Sequence, residues 1–520
     1  DEARFAQASR QMLESGDYVI PRVQGRQRLN KPPLIYWLQA TSARVCTLGR
    51  PLDDQVWMYR LPSLLAAIAA VLATWRLGSA MFDARTGWLG GAILACCPVM
   101  FWEARQARAD MVLVACTAWA LFFLWRLWQT RTDGPSAWLA LGFWTAVGAG
   151  VLVKGPITPA VAALTVGSMC IVTRRWRWVS RLHLLPGVAL VAMMIGPWLY
   201  LVVRSVGLET YTNLMYEETI GRSLAPKEGH SGFPGYHLLL VAALLFPGSM
   251  MIGPALVGAV KQARESARAF RGQANADPPG HDAPLLFLLC VIVPAWLVFE
   301  VVSTKLPHYT MPIYPALAIL CAGAVVDCSA WTLRFIKTPV ARIALSGWIL
   351  CLIVLLVASA LAAAYAMQST ALRVVLLSAA GLLAGSLGFT CARQLRQSAM
   401  LRLQFLGLAA FVVSAVMLGL AAPAIDQLWI SRGLAAQLHT IDPADARPIG
   451  TLFHEDSLIF ETRGRAERVS LKSPADPTEL VDWARAHPDA LLVVPSPLGA
   501  ALPGFHALGA VSGFNYTKGD

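Results

Sequence analysis

Charge is scarce in this chain: 14% of its 520 residues are Asp, Glu, Lys or Arg, against about a quarter in ordinary soluble domains. With 56% hydrophobic residues and a mean hydropathy of +0.54, that shortage excludes a soluble globular protein and a disordered one. It leaves a polytopic membrane protein. The ten cysteines offer no scaffold. Most of them, such as Cys96, Cys97, Cys116, Cys290, Cys321 and Cys351, lie inside apolar runs as small packing residues, and no CxxC or Cys/His metal spacing occurs. Internal repeats of the kind that mark many secondary transporters are not visible. The chain opens on Asp1 without an initiator Met or an apolar lead, so no signal sequence is read.

What is present is a series of apolar runs. Against a requirement of about 20 residues per span, twelve stretches qualify: 57–80, 86–102, 110–129, 137–154, 156–173, 183–203, 237–260, 284–302, 309–328, 341–366, 371–391 and 402–422. Two regions, around 86–102 and 137–173, are short or interrupted. The formal charge of +12 would suggest a nucleic-acid partner in a soluble protein. Here it reports topology, because the Lys and Arg fall in alternate gaps: Arg85, Arg126, Arg174 to Arg181, Lys261 to Arg268, Arg334 and Arg393. The positive-inside rule makes those gaps cytoplasmic. Residues 1–56 then form a first exoplasmic loop, 57–423 the membrane domain, and 424–520 a water-soluble tail on the exoplasmic side. A chain starting in the cytoplasm would need one more helix ahead of Asp1. The tail alternates short apolar runs (449–453, 468–471, 490–494) with amphipathic stretches (429–439, 477–486), a small α/β pattern.

The chemistry gathers at the exoplasmic mouths of the helices. The first loop reads DEARFAQASRQMLESGDYVIPRVQGRQRLNKPPLIYW. It offers Asp1, Glu2 and Arg4 on a helix-like stretch, then Lys31 before an aromatic amphipathic run, Leu34 to Ala43, suited to the membrane interface. Glu103, Arg105, Arg108 and Asp110 cluster at the next mouth, where an ionisable group is costly unless paired or functional; a simple Arg108–Asp110 or Arg105–Asp110 staple is the plain alternative. Lys154, in LVKGP, either snorkels to headgroups or is held by Gly155-Pro156 toward an anion. Lys305, His308 and Tyr309, in STKLPHYTMPIYPAL, stand at a helix start that favours a negative group; otherwise they are interface-belt residues. Glu217, Glu218 and His230 lie in the loop 204–236. Carboxylates suit general-base or carbocation-stabilising work, and a Lys/Arg cluster suits phosphate. The set favours an enzyme on phosphate-bearing lipids over a channel.

These segments, in order along the chain, are specific. DEARFAQASRQMLESGDYVIPR, KPPLIYW, ARQARADMVLVA, LVKGP, PWLYLV and STKLPHYTMPIYPALA resemble the bacterial aminoarabinose transferases, within the protein O-mannosyltransferase-like membrane glycosyltransferases of GT-C type. The resemblance implies thirteen membrane helices in full with an exoplasmic active site, an undecaprenyl-phosphate sugar donor, and lipid A or another periplasmic acceptor. Asp1 matches the family's essential acid and Asp110 its second acidic position. Lys31 matches the lysine that meets phosphate, and Lys305 to Tyr309 the loop lining the donor site. His230, in EGHSGFPGYH, matches a histidine position associated with a divalent metal in relatives. Where many relatives have Phe-Glu-Lys-Pro-Pro, this chain has Leu29-Asn30-Lys31-Pro32-Pro33, so an amide replaces a carboxylate that could help hold such a metal. The reading is a polytopic α-helical glycosyltransferase of the bacterial inner membrane, with membrane lipids and no nucleic acid as surroundings. A lipid transporter would instead place ionisable groups near the bilayer midplane.

Overall fold

The computed structural model describes residues 2–50, 53–130, 136–221, 232–272, 283–326, 429–469 and 478–513, with short breaks, and scattered helical positions between 347 and 381. The chain begins with α1 (Glu2–Ser15). It ends where Gly16, at φ +71°, takes the left-handed conformation glycine tolerates and donates its N–H to the Met12 carbonyl at 3.0 Å. A two-strand hairpin follows, β1 (Arg22–Val23) against β2 (Arg26–Gln27), and then α2 (Leu34–Cys46). The aromatic face of α2 is covered by protein: Ile35, Tyr36, Gln39, Ala40 and Ala43 are buried, and the Tyr36 ring stacks on Phe5 of α1 at 5.4 Å. An apolar face on α1 (Phe5, Ala8, Met12) takes the place that a bilayer would otherwise fill.

The bundle follows: α3 (Val56–Met81), α4 (Ala84–Cys96), α5 (Pro98–Ala104), α6 (Asp110–Gln129), α7 (Ala137–Lys154), α8 (Ile157–Thr173), α9 (Leu184–Val206), α10 (Leu208–Tyr216), α11 (Tyr236–Leu244), α12 (Ile252–Gly272), α13 (Pro284–Val301) and α14 (Tyr314–Val326). Among the described residues six helical stretches are long and apolar enough to cross a membrane, or up to eight if each bent pair counts as one span. With the 17-residue α8 these account for nine of the twelve expected spans. The other three expectations, over 341–422, lie chiefly outside the described residues.

The bend within 84–104 is 65°. Pro98 lacks an N–H and pushes Cys97 to an extended conformation (φ −63°, ψ 129°), so one apolar run becomes two helices. The start of α4 is fixed by Asp83, whose carboxylate accepts the Thr86 N–H at 2.7 Å. The run expected as one helix over 309–328 opens as a 3₁₀ segment, Pro307–Ile313, before α14; Pro307 and Pro312 remove the donors a regular first turn would use. α6 lies centrally, packed on α3, α7, α8 and the 307–313 segment.

The soluble tail forms three parallel strands, β3 (Ile449–Thr451), β4 (Ala466–Arg468) and β5 (Leu491–Val493), in the order β4-β3-β5. Helices α15 (Ile430–Ile441), α16 (Asp456–Glu461) and α17 (Thr478–Ala486) accompany them. The second strand sits two residues earlier than its hydropathy suggests, and α16, too short to show a period, is not apparent in the sequence. On β3 a side chain at Gly450 would meet the Trp483 ring at 2.5 Å, so only glycine lets α17 close on the sheet.

This domain rests on α1. Arg10, 3% exposed, donates Nε to Asp54 Oδ2 at 2.7 Å and Nη1 to the Phe460 carbonyl at 2.7 Å, with its guanidinium 3.8 Å from the Phe460 ring centroid. Asp54, 1% exposed at its side chain, also takes the Tyr59 hydroxyl at 2.6 Å and lies 3.1 Å from Arg463. Arg4 donates to Asp456 at 2.5 Å, and Gln24 donates to the Ala466 carbonyl.

Candidate active site

α6 begins at Asp110, where a helix N-terminus favours negative charge, and α7 ends at Lys154, where a C-terminus favours positive charge. The two ends meet: Lys154 Nζ donates to Asp110 Oδ1 at 2.5 Å. Gly155, at φ +67°, stops α7 directly after the lysine, so Lys154 is held by a fixed turn. The plain reading of Asp110 as a staple to Arg105 or Arg108 does not hold. Arg108 turns instead to Glu103, Nη1 to Oε1 3.3 Å, and Arg105 lies over the Phe101 ring at 5.6 Å.

His308 bridges the two acids. Its Nε2 is 3.7 Å from Asp110 Oδ1 and its Nδ1 3.9 Å from Glu103 Oε1. Tyr309 packs edge-on against His308, with Lys154 Nζ 5.4 Å from its ring centroid. The result is an alternating chain, Arg108–Glu103–His308–Asp110–Lys154, with Glu103 2% and Asp110 8% exposed. Two of its buried polar atoms, Glu103 Oε2 and Arg108 Nε, have no hydrogen-bond partner. Polar groups left open in a buried charged cluster are costly unless something else takes them up.

Lys305 sits on the same segment and serves differently. It is 6% exposed, donates to the Phe233 carbonyl at 3.1 Å, and lies 3.5 Å from Glu300. Glu300 accepts the N–H groups of Gly235, His237 and Leu238 at 3.1–3.3 Å, capping α11 from the end of α13. His237 Nε2 is 3.2 Å from the Leu306 carbonyl. Sequence reasoning passed over Glu300 and His237. Glu300 was findable as the lone carboxylate of an otherwise apolar run.

Lys31 faces Glu218 at 3.9 Å. Glu2 is fully engaged: both its oxygens take Arg60 (2.6 and 2.9 Å), and Oε1 also accepts the Ala107 N–H at 2.9 Å. It thereby ties α1 to the loop that carries Arg105 and Arg108. Arg4 belongs to the contact with the C-terminal domain. Asp1 and His230 lie outside the described residues. Among the described residues no group of three or more His, Cys, Asp or Glu is placed to hold a metal ion, and Asn30 has a buried side-chain oxygen without a hydrogen-bond partner.

Residues 30–201 match the family model described as dolichyl-phosphate-mannose-protein mannosyltransferase, the stretch that holds Lys31, Glu103, Arg108, Asp110 and Lys154. The undecaprenyl phosphate-alpha-4-amino-4-deoxy-L-arabinose arabinosyl transferase of Erwinia tasmaniensis is 26% identical over 62% of this chain and 54% of its own length. The enzyme of the same name from Pseudomonas aeruginosa PAO1 is 27% identical over 63% and 55%. The chain thus spans little more than half the length of these curated relatives. The crystal structure of ArnT from Cupriavidus metallidurans bound to undecaprenyl phosphate superposes with a TM-score of 0.70 at 21% identity, covering 96% of this chain and 86% of that one. An oligosaccharyltransferase from Archaeoglobus fulgidus, in the apo form, gives 0.53 at 11% identity over 94% and 65%. The chain carries the fold of these proteins and resembles the aminoarabinose transferases in sequence and in structure.

Proposed function

We propose that this chain is an inverting membrane glycosyltransferase that takes 4-amino-4-deoxy-L-arabinose from undecaprenyl phosphate and passes it to a phosphate of lipid A on the periplasmic side of the inner membrane. The observation that carries the reading is the buried Arg108–Glu103–His308–Asp110–Lys154 chain, set at one end of the bundle, with all its members but His308 inside the part that matches the mannosyltransferase family. In the reaction the bond from the sugar C1 to the carrier phosphate oxygen breaks and a bond from the acceptor oxygen to C1 forms. Negative charge collects on the leaving phosphate while the sugar passes through a cationic state. Lys31, with Arg105 or Arg108, neutralises the leaving phosphate. Asp110, held by Lys154, keeps a carboxylate fixed toward the reacting sugar. Asp1 positions the acceptor and steadies the cationic sugar, or accepts a proton when the acceptor is a hydroxyl. A phosphate acceptor is already anionic and requires no strong base.

One observation favours a second reading, transfer of a different sugar to a protein, glycan or lipid hydroxyl. Asn30 stands where many relatives of this type carry a carboxylate, and its buried oxygen is unpaired. A direct test incubates the purified protein with undecaprenyl-phosphate aminoarabinose and follows release of undecaprenyl phosphate with lipid A or with a hydroxyl acceptor. Release that requires lipid A and is lost in Asp1→Asn and Lys31→Ala supports the first reading. No release with this donor, but release when another polyprenyl-phosphate sugar is supplied with the hydroxyl acceptor, selects the second, and full activity of both variants refutes the assigned roles.

A further inference from the structure

At the end of the bundle opposite Asp110 and Lys154, α12 runs outward past the last turn of α8. One face is turned in: Ala255, Ala259, Ala263 and Phe270 are buried. Its tip is pinned, with Phe270 edge-on to Trp128 at 6.0 Å, Arg175 4.8 Å from the Phe270 ring centroid, and Arg271 donating to the Val172 carbonyl at 3.0 Å. The other face borders an open groove of about 580 Å³. Along the groove the lining changes character: Leu256, Val257 and Val260 come first, then Lys261, Arg264 and Arg268 with a single carboxylate, Glu265. Val257, Val260 and all four charged residues are exposed. At 1.5 Å per residue, Leu256 to Arg268 spans about 18 Å.

We infer that this groove binds an anionic glycerophospholipid of the leaflet bordering the basic rim, its phosphate at Lys261, Arg264 and Arg268 and an acyl chain along Leu256, Val257 and Val260. A soluble anion has no use for the apolar half, and a zwitterionic lipid, whose own cation offsets its phosphate, gains less than an anionic one from three cations facing one carboxylate. The groove is open along α12, so a lipid can enter from the side and the occupant is the one the surrounding leaflet supplies in bulk. Cations at a membrane surface attract anionic lipid by roughly fivefold each. The site is remote from the proposed transfer centre and does not depend on that reading.

Native mass spectrometry of the full chain released from detergent tests it, with phosphatidylglycerol and phosphatidylcholine of matched acyl chains at equal concentration. Phosphatidylglycerol adducts should exceed phosphatidylcholine adducts by about tenfold or more. The preference should fall several-fold in Lys261→Gln/Arg264→Gln/Arg268→Gln and persist in full in Arg174→Gln/Arg177→Gln, which removes exposed cations elsewhere on the rim. It should grow in Glu265→Gln, a gain that misfolding cannot mimic. Equal retention of the two lipids by the unaltered protein would overturn the proposal. So would a triple variant that keeps the preference, or displacement of phosphatidylglycerol by inorganic phosphate or undecaprenyl phosphate at equal concentration.

Discussion

At the scale of single residues, Asp110 and Lys154 pose the sharpest question, because a 2.5 Å pair between two nearly buried side chains serves structure or chemistry equally well on sight. Variants separate the two. Asp110→Asn leaves Lys154 facing no charge at short range and should lower stability by about 3 kcal/mol while cutting transfer by about 100-fold or more. Adding Lys154→Met removes the stranded cation, so the double variant should regain most of the lost melting temperature in detergent and none of the activity. Recovery of both would make the pair a staple. This site is only half legible in the sequence. The residue types and their place at helix mouths are there, but a hydropathy pattern carries no pairing. Asp110 has two arginines within five positions and nonetheless chooses a lysine 44 residues away, because two helix ends of opposite polarity meet there.

At the scale of elements, the contact between α1 and the C-terminal domain sets where Glu2, and with it the loop 105–109, comes to rest. Its anchor is Arg10. Arg10→Met should cost about 3 kcal/mol, since Asp54 stays buried with Arg463 as the cation left beside it among the described residues, and should expose the segment 456–468 to limited proteolysis at lower temperature. Glu461, at the end of α16, adds a pH term. Burial raises its carboxyl above the ordinary value of 4.5, while Arg432 and Arg10 pull it down. The folded domain therefore holds that proton more tightly than the unfolded chain does. Its contribution to stability is complete below the unfolded pKa and is lost as pH rises through the folded one. Thermal unfolding should show a fall in melting temperature above about pH 4.5 that Glu461→Gln flattens; an identical pH profile in the variant would contradict this. The amphipathic helices of this domain are readable from their period. The shift of β4 and the presence of α16 are not, because elements of three to six residues are placed by the sheet they join.

At the scale of the whole molecule, the gathering of charge at the two ends of the bundle, mixed in sign at one and cationic at the other, is the feature that sequence and structure share. The acidic and basic residues of the site gather at one end, and the cationic rim of Arg175, Arg181 and Arg271 at the other. Long apolar runs announce the spans, and prolines at 98, 307 and 312 account for two of the places where a run is not one helix; a third, the run expected over 237–260, is also two helices, Tyr236–Leu244 and Ile252–Gly272. His237 and Arg60 are not legible in the sequence because their work is to hold other residues, and such work is visible only once the chain has folded; Glu300, a lone carboxylate in an apolar run, stands out by type while its partners do not. The central claim is that this end of the bundle transfers aminoarabinose to lipid A. It is tested most directly by mass spectrometry of lipid A from cells that make the donor, with the gene deleted and complemented by the unaltered chain or by Asp110→Asn. The account predicts an aminoarabinose mass increment that needs the gene and is absent with Asp110→Asn; lipid A of unchanged mass in every strain would contradict it.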